Sequence, residues 1–265
     1  MAPPPICPIT IEQSATSTSD LAKYAAAKGA PSGSGFLAIE QTAGRGRRGR
    51  YWSSQKGGMY LSVLLRPSVK KKYWFVFSFA ASLAALDTLR DQLARHFDNQ
   101  HMPQTGLKWP NDVIMSGGKI AGILLEAEGQ TLIVGSGINI EPVQTLVRQG
   151  EDHGVLTHQV VETAALADIW PHTAGGLPTP QQLARCFMTR LAYWNDKFDQ
   201  NGFDPIRDEW LNNALFLGKT LSVWNGTKKI SGVFHDLGRD GALLLLDDSG
   251  HTHHITTGDV QLLDN

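Results

Sequence analysis

Residues 44–50 read GRGRRGR, four arginines among three glycines. Glycine lowers the steric cost of unusual backbone angles and lets main-chain N–H groups approach a ligand. Arginine offers a planar fork that fits phosphate or carboxylate. The segment is neither a P-loop, which ends Gly-Lys-Ser/Thr, nor a dinucleotide fingerprint. From its composition alone, binding of an anionic ligand and binding of nucleic acid weigh about equally. Three further stretches carry chemistry-bearing side chains. KWPND (108–112) is a proline turn by its bland reading, yet it sets Lys108, Asn111 and Asp112 at a strand junction. There a lysine can meet a phosphate and a carboxylate can help hold Mg²⁺. In GGKIAGILLE (117–126), Lys119 interrupts an apolar strand, either as an edge guard or as a partly desolvated ammonium aimed at an anion. Gly122, further along, is expected to share its sheet face and admit a close approach. In GSGINI (135–140), Gly135 and Gly137 clear space, and Asn139 can bond a nucleotide or order a turn.

These residues need elements to hold them. ITIEQSATSTSDLAKYAAAKG reads as a strand, a polar turn and a helix capped by Ser17 or Thr18 and stopped at Gly29. GFLAIEQ and GMYLSVLLRP read as strands, the second buried and ended by Pro67. Apolar residues at helical spacing predict a long amphipathic helix over about 73–97. Residues 105–140 predict consecutive strands joined by Trp109-Pro110-Asn111-Asp112, Ser116-Gly117-Gly118 and Glu128-Gly129-Gln130 turns. Residues 141–178 are poorly patterned and predict loops and short helices. Thr179-Pro180 opens a helix, and DPIRDEWLNNA (204–214) predicts another. After Leu217, short strands alternate with Asn-Gly, Asp-Gly and Ser-Gly turns. Hairpins without a steady βαβ rhythm predict an α+β fold: a mixed β-sheet with helices on one side, plus a small C-terminal all-β barrel. The expected division is 1–217 and 218–265.

Bulk properties narrow the function. The 265 residues carry 24 basic and 25 acidic side chains, a net charge of −1, so anion binding must be local rather than global. Apolar residues make up 42% and charged ones 18%, as in a globular protein with a real core. MAPPPICPIT does not read as a signal peptide, and no stretch is apolar for long enough to span a bilayer. Cys7 and Cys186 form no metal-like spacing and read as free thiols of a reducing cytoplasm. His251, His253 and His254 crowd one strand without a further ligand placed beside them, which argues against zinc. No catalytic triad is legible.

Together, STS (17–19), EQTAGRGRRGR (40–50), KWPND (108–112), GKIAGIL (118–124) and GSGIN (135–139) resemble, in order and spacing, the biotin protein ligases. The resemblance implies a class II aminoacyl-tRNA-synthetase-like catalytic domain and a two-step reaction. Biotin and ATP give biotinyl-5′-AMP and pyrophosphate, and a lysine of the biotin carboxyl carrier protein of acetyl-CoA carboxylase then takes the biotinyl group. It implies a biotin site of Ser17, Thr18, Ser19, Gln41, Gly44, Arg45, Gly46, Arg47, Lys119, Gly122 and Gly135. Lys119, Arg45 and Arg47 are the implied catalytic residues. Arg48, Arg50, Trp52, Lys108, Asn111, Asp112, Lys119 and Asn139 fall to the ATP side, with Asp112 as a Mg²⁺ contact. The arginine loop is implied to order around the ligand. The family's adenine-stacking loop falls near 152–160, which holds no aromatic residue. The match begins within the first dozen residues, leaving no room for the DNA-binding domain of repressor members, so no DNA role is expected. A cytoplasmic monomer or homodimer is implied. Lipoate ligases share the fold and a reactive lysine but lack the arginine loop. Nucleic-acid binding rests on GRGRRGR alone and leaves Lys119, Gly122 and KWPND unexplained.

Overall fold

The computed structural model describes residues 8–98, 100–143, 146–152, 155–171, 175–225 and 228–263. Chain order runs β1 (Ile9–Glu12), α1 (Thr18–Ala27), β2 (Gly35–Ala38), β3 (Gly58–Leu65), α2 (Val76–Leu93), β4 (Thr105–Lys108), β5 (Asp112–Met115), β6 (Gly118–Glu128) and β7 (Thr131–Asn139). It continues β8 (Leu146–Asp152), β9 (Val155–Val161), α3 (Pro180–Asn201), α4 (Asp204–Asn212) and β10–β14 (Thr220–Asn225, Lys228–Leu237, Leu243–Leu246, Thr252–Ile255, Val260–Leu262). Seven strands form a mixed sheet in the order β1-β2-β3-β7-β6-β5-β4. Only β1 and β2 run parallel; the remaining neighbours are antiparallel hairpin or long-range pairs.

The sheet sorts its side chains by alternation. Along β3, Met59, Leu61, Val63 and Leu65 enter the main core, while Tyr60, Ser62 and Leu64 face the other way. The main core is closed by α2, with α3 and α4 packed against it. Because α2 lies between the sheet and these two helices, it is buried almost all round, from Val76 to Leu93. The amphipathic stripe expected there is therefore absent. A buried leucine such as Leu86 or Leu89 truncated to alanine costs about 2–5 kcal/mol. Helix α1 takes the opposite face, where Ala22 meets Phe36, Leu64 and Ile133. So the helices do not all lie on one side: the large ones back the sheet, and the short one flanks its working face.

Two other expectations are corrected. Residues 141–178 were expected as loops and short helices, yet β8 and β9 form an antiparallel hairpin there. The C-terminal strands form one antiparallel sheet in the order β13-β12-β11-β10-β14, with β13 and β14 at its edges. Among the described residues it is an open sheet, not a closed barrel. It packs on the larger part through the Trp109 indole, which donates to the Gly241 carbonyl at 3.1 Å, and through Arg207, which donates to the Leu237 carbonyl at 2.7 Å. Cys186 is a free thiol, half-buried, and burial pushes its pKa up. Cys7 lies outside the described residues. His253 and His254 pair separately with Asp247 and Asp240, and among the described residues no cluster of acidic, His or Cys side chains could hold a metal.

Candidate active site

The working face of the sheet carries a cavity of about 470 Å³, bounded by α1, the arginine loop and strands β3, β5, β6 and β7. Its chemistry changes from end to end. At one end are hydroxyls and amides. Ser17 caps α1, accepting from the Ser19 N–H at 3.3 Å, which holds three consecutive hydroxyl residues at the helix start. All three are buried. The Thr18 and Ser62 hydroxyls lie 2.8 Å apart. Gln41 accepts from the Thr18 N–H at 2.8 Å and donates to Ser54 at 2.8 Å, so its amide orientation is fixed on both sides.

The middle is floored by glycine. A Cβ on Gly137 would stand 2.6 Å from the Trp52 indole, and one on Gly122 would stand 3.0 Å from the same ring. A Cβ on Gly135 would come within 3.7 Å of the Ser19 hydroxyl. Only glycine permits the indole to lie this close to the sheet. The buried Trp52 Nε1–H has no protein acceptor among the described residues.

Lys119 reaches this floor by a local irregularity. Residues three apart in a regular strand face opposite ways. Here Val113 pairs with Ala121 but Ile114 pairs with Lys119, so Ile120 is an inserted, bulged residue. Ile120 and Ala121 both enter the core, and Lys119 and Gly122 both face the cavity. The backbone of Lys119 is pinned by exchange with the chain after β9, its N–H donating to the Glu162 carbonyl at 2.9 Å.

The far end is charged. Lys119 Nζ donates to Asp112 Oδ1 at 2.5 Å and stands 5.2 Å from the Trp52 ring centre. Both charged side chains are about 15% exposed. Arg47 donates to Asn111 Oδ1 at 3.2 Å and makes no carboxylate ion pair among the described residues. Burial pushes its guanidinium pKa down, the mark of a cation short of solvent. Asn139 donates to the Ala164 carbonyl at 3.0 Å, while its buried Oδ1 has no partner among the described residues.

The arginine loop is itself a folded neck. Trp52 N–H donates to the Gly44 carbonyl at 2.9 Å and Gly46 N–H to the Arg50 carbonyl at 2.7 Å. The tip turns through left-handed backbone at Arg48 (φ 56°) and Gly49 (φ 72°). Gly44 does not line the cavity; it sits at the neck, where a Cβ would strike Ser54 and the Trp52 carbonyl. Arg48 turns away to Thr257, at 2.9 Å, and Arg50 pairs with Asp259. Arg45 pairs with Asp20 at 2.6 Å. Lys108, on β4, is outside the cavity wall. Every other site residue expected from the sequence lines it: Ser17, Thr18, Ser19, Gln41, Arg45, Gly46, Arg47, Arg50, Trp52, Asn111, Asp112, Lys119, Gly122, Gly135 and Asn139. Within residues 152–160, His153 and Gly154 lie outside the described residues. Sequence reasoning missed Tyr60, Ser62 and Asp259. A tyrosine and a serine two apart in a buried strand were a usable signal; Asp259, in a turn more than 200 residues from the loop, gave none.

The chain is similar to known proteins in family, sequence and fold. The model of the biotin/lipoate A/B protein ligase family matches residues 11–141, and that of the biotin protein ligase C-terminal domain matches residues 216–263. The chain is 33% identical over 220 residues to a biotin--[acetyl-CoA-carboxylase] ligase of Paracoccus denitrificans, covering 81% of this chain and 84% of that one. It is similar to the biotin protein ligase of Aquifex aeolicus solved in complex with biotin and ATP, at TM-score 0.76 and 26% identity over 97% of this chain and 99% of the other. It is also similar to the biotin protein ligase of Leishmania major in complex with biotinyl-5-AMP, at TM-score 0.63 and 26% identity over 98% and 100%.

Proposed function

Because the chain belongs to the biotin/lipoate A/B protein ligase family, we infer that it is an ATP-dependent biotin protein ligase acting on acetyl-CoA carboxylase. A biotin carboxylate oxygen attacks the α-phosphorus of ATP. The bond from that phosphorus to the oxygen bridging the β-phosphate breaks, and pyrophosphate leaves with its electron pair. The ε-amine of an acceptor lysine then attacks the acyl carbon of biotinyl-5′-AMP; AMP leaves and the amine loses a proton. The observation that carries this reading is the polarity of one cavity, hydroxyls and amides at one end and Lys119 with Arg47 at the other.

We assign roles along that polarity. Ser17, Thr18, Ser19 and Gln41 meet the ureido ring, a group that both donates and accepts. Gly122 and Gly135 leave room for the thin bicycle. Arg47 covers the carboxylate as it becomes an acyl phosphate, with Gly46 leaving room beside it. Lys119 stabilises the charge that develops on the α-phosphoryl oxygens, in adenylation and again in transfer. Asp112 holds the ammonium of Lys119 in place while the cavity is empty. Asn139, through its unpartnered Oδ1, and Asn111 face the nucleotide. Arg50 lies toward the pyrophosphate side, while Arg48, expected there from the sequence, is held off the cavity by Thr257.

Mg²⁺ fits as an ion carried in on ATP: the single carboxylate of Asp112 is too little for a protein cage but enough beside phosphate oxygens, where the ion would neutralise charge on the leaving group. The division of labour falls near Gly218, with the C-terminal sheet supplying Asp259. All four loop guanidiniums reach partners on the protein itself, which supports a role without DNA. No helix among the described residues is long and apolar enough to cross a membrane. A cytoplasmic monomer or homodimer belongs to the same proposal and rests on the family resemblance alone. The test is pyrophosphate release. It should require biotin and be followed by a biotin-sized mass gain on the carrier lysine; release driven by lipoate but not biotin would contradict the assignment.

A further inference from the structure

The four arginines of the loop do not do the same work. The Arg45 guanidinium lines the cavity but is held by α1. Its Nη2 lies 2.6 Å from Asp20 Oδ1 and its Nη1 donates to Asp20 Oδ2 at 3.0 Å, a two-pronged pair. Nη2 also lies 3.6 Å from Glu126 Oε2. Glu126 Oε1 in turn accepts from Lys23 at 2.7 Å. Two cations and two carboxylates thus close a neutral, partly buried cluster beside the cavity.

What the cluster joins is informative. Asp20 and Lys23 are on α1, and Asp20 directly follows the three hydroxyl residues 17–19. Glu126 is on β6, the strand that carries Lys119 and Gly122. Arg45 is in the neck of the arginine loop, where its backbone bridges Tyr51. One side chain therefore ties the loop to both the hydroxyl end and the strand of the reactive lysine. The guanidinium–carboxylate bond holds the Asp20 carboxyl below its ordinary range and Arg45 above its own. Arg47, two residues on, has no such carboxylate partner among the described residues and is the more buried of the two.

We propose that Arg45 is a positioning residue rather than a phosphate ligand: with Asp20 and Glu126 it clamps the neck of the arginine loop to α1 and β6, so that the loop can close only over an intact hydroxyl end. The clamp rests on the biotin ligase reading for its readout but not for its geometry. A phosphate ligand and a clamp respond differently to mutation. If Arg45 served the phosphate, removing Asp20 would free it, and activity would hold or rise. If Arg45 serves the clamp, Asp20 and Arg45 are two halves of one device, and the loss of either is the loss of both.

The experiment is a double-mutant cycle of Asp20→Ala and Arg45→Ala, read by biotin-dependent pyrophosphate release and by limited proteolysis within residues 44–50. Each single variant should raise KM for biotin about tenfold with kcat little changed, and the double variant should be no worse than either. Unequal singles, a fall in kcat confined to Arg45→Ala, additive losses or unchanged kinetics would each overturn the clamp. Should the wild-type protein release no pyrophosphate with biotin, the functional reading fails instead. The clamp is then judged by proteolysis alone: both variants must open the loop to cleavage equally, and unequal or unchanged cleavage overturns it.

Discussion

Lys119 stands where the sheet face, the indole of Trp52 and the carboxylate of Asp112 meet. On the proposed reading, a point charge there acts on oxygens whose negative charge grows during reaction, and a partly dry site makes that charge count for more than in water. Lys119→Ala should leave the fold intact and lower kcat about 10²–10³-fold, as loss of one preorganised charged contact does; turnover near wild type would remove Lys119 from the chemistry. Gly137 makes a steric prediction. A methyl group at that position falls 2.6 Å from the indole, closer than real Cβ atoms come, so the ring must move. Gly137→Ala should therefore weaken ATP and biotin binding more than it lowers the melting temperature; unchanged KM values would show that the indole is not held by this contact. Asp20 and Glu126 add a pH dependence. Both carboxyls are held below their ordinary pKa. Their pairing is therefore fully present above the unfolded carboxylate range near pH 4 and fades as pH falls through the lowered folded values.

At the scale of elements, the arginine loop sits on a neck of backbone bonds and a tip in left-handed conformation. Such a segment has few buried apolar contacts and opens at low cost. Protease should cut within residues 44–50 slowly in the free protein, and biotin with ATP should slow cleavage further; equal cleavage with and without ligand would rule out closure on the adenylate. Element scale is also where the sequence was most and least readable. Cap, proline and glycine signals are local, so Ser17 at the head of α1, Thr179-Pro180 at the head of α3 and the Ser116-Gly117 turn could be read directly. The β8–β9 hairpin could not, because its residues lack regular alternation and its pairing is set by partners along the chain. The burial of α2 on all sides depends on α3 and α4, more than 80 residues away, and no periodicity within α2 announces it. The bulge at Ile120 was equally hidden: sequence placed Lys119 and Gly122 together, while regular alternation would have parted them.

The whole molecule joins two sheets through the site. Arg50 and Arg48, at the tip of the loop, reach Asp259 and Thr257 of the C-terminal sheet, 209 residues away. Pairing of loop and sheet across that separation means that the smaller part completes the wall of the cavity. Asp259→Ala should loosen the loop tip, raising KM for ATP several-fold while leaving the biotin KM close to its wild-type value, and equal changes in both would place Asp259 elsewhere in the account. The motifs that line the cavity could be read because each is short, while Tyr60, Ser62 and Asp259 lie outside them. The convergence of the motifs could not, since α1, β3, β5, β6, β7 and the last turn of the C-terminal sheet meet only once the mixed sheet has formed. The central claim is that one cleft holds the vitamin at its hydroxyl end and the activated acyl phosphate at its cationic end. A crystal structure with biotinyl-5′-AMP bound tests it most directly. The account predicts Lys119 Nζ and the Arg47 guanidinium within hydrogen-bonding distance of the acyl phosphate and the ureido ring beside Ser17–Ser19. An adenylate lying with Lys119 turned to solvent, or with its ring against Arg47, would contradict it.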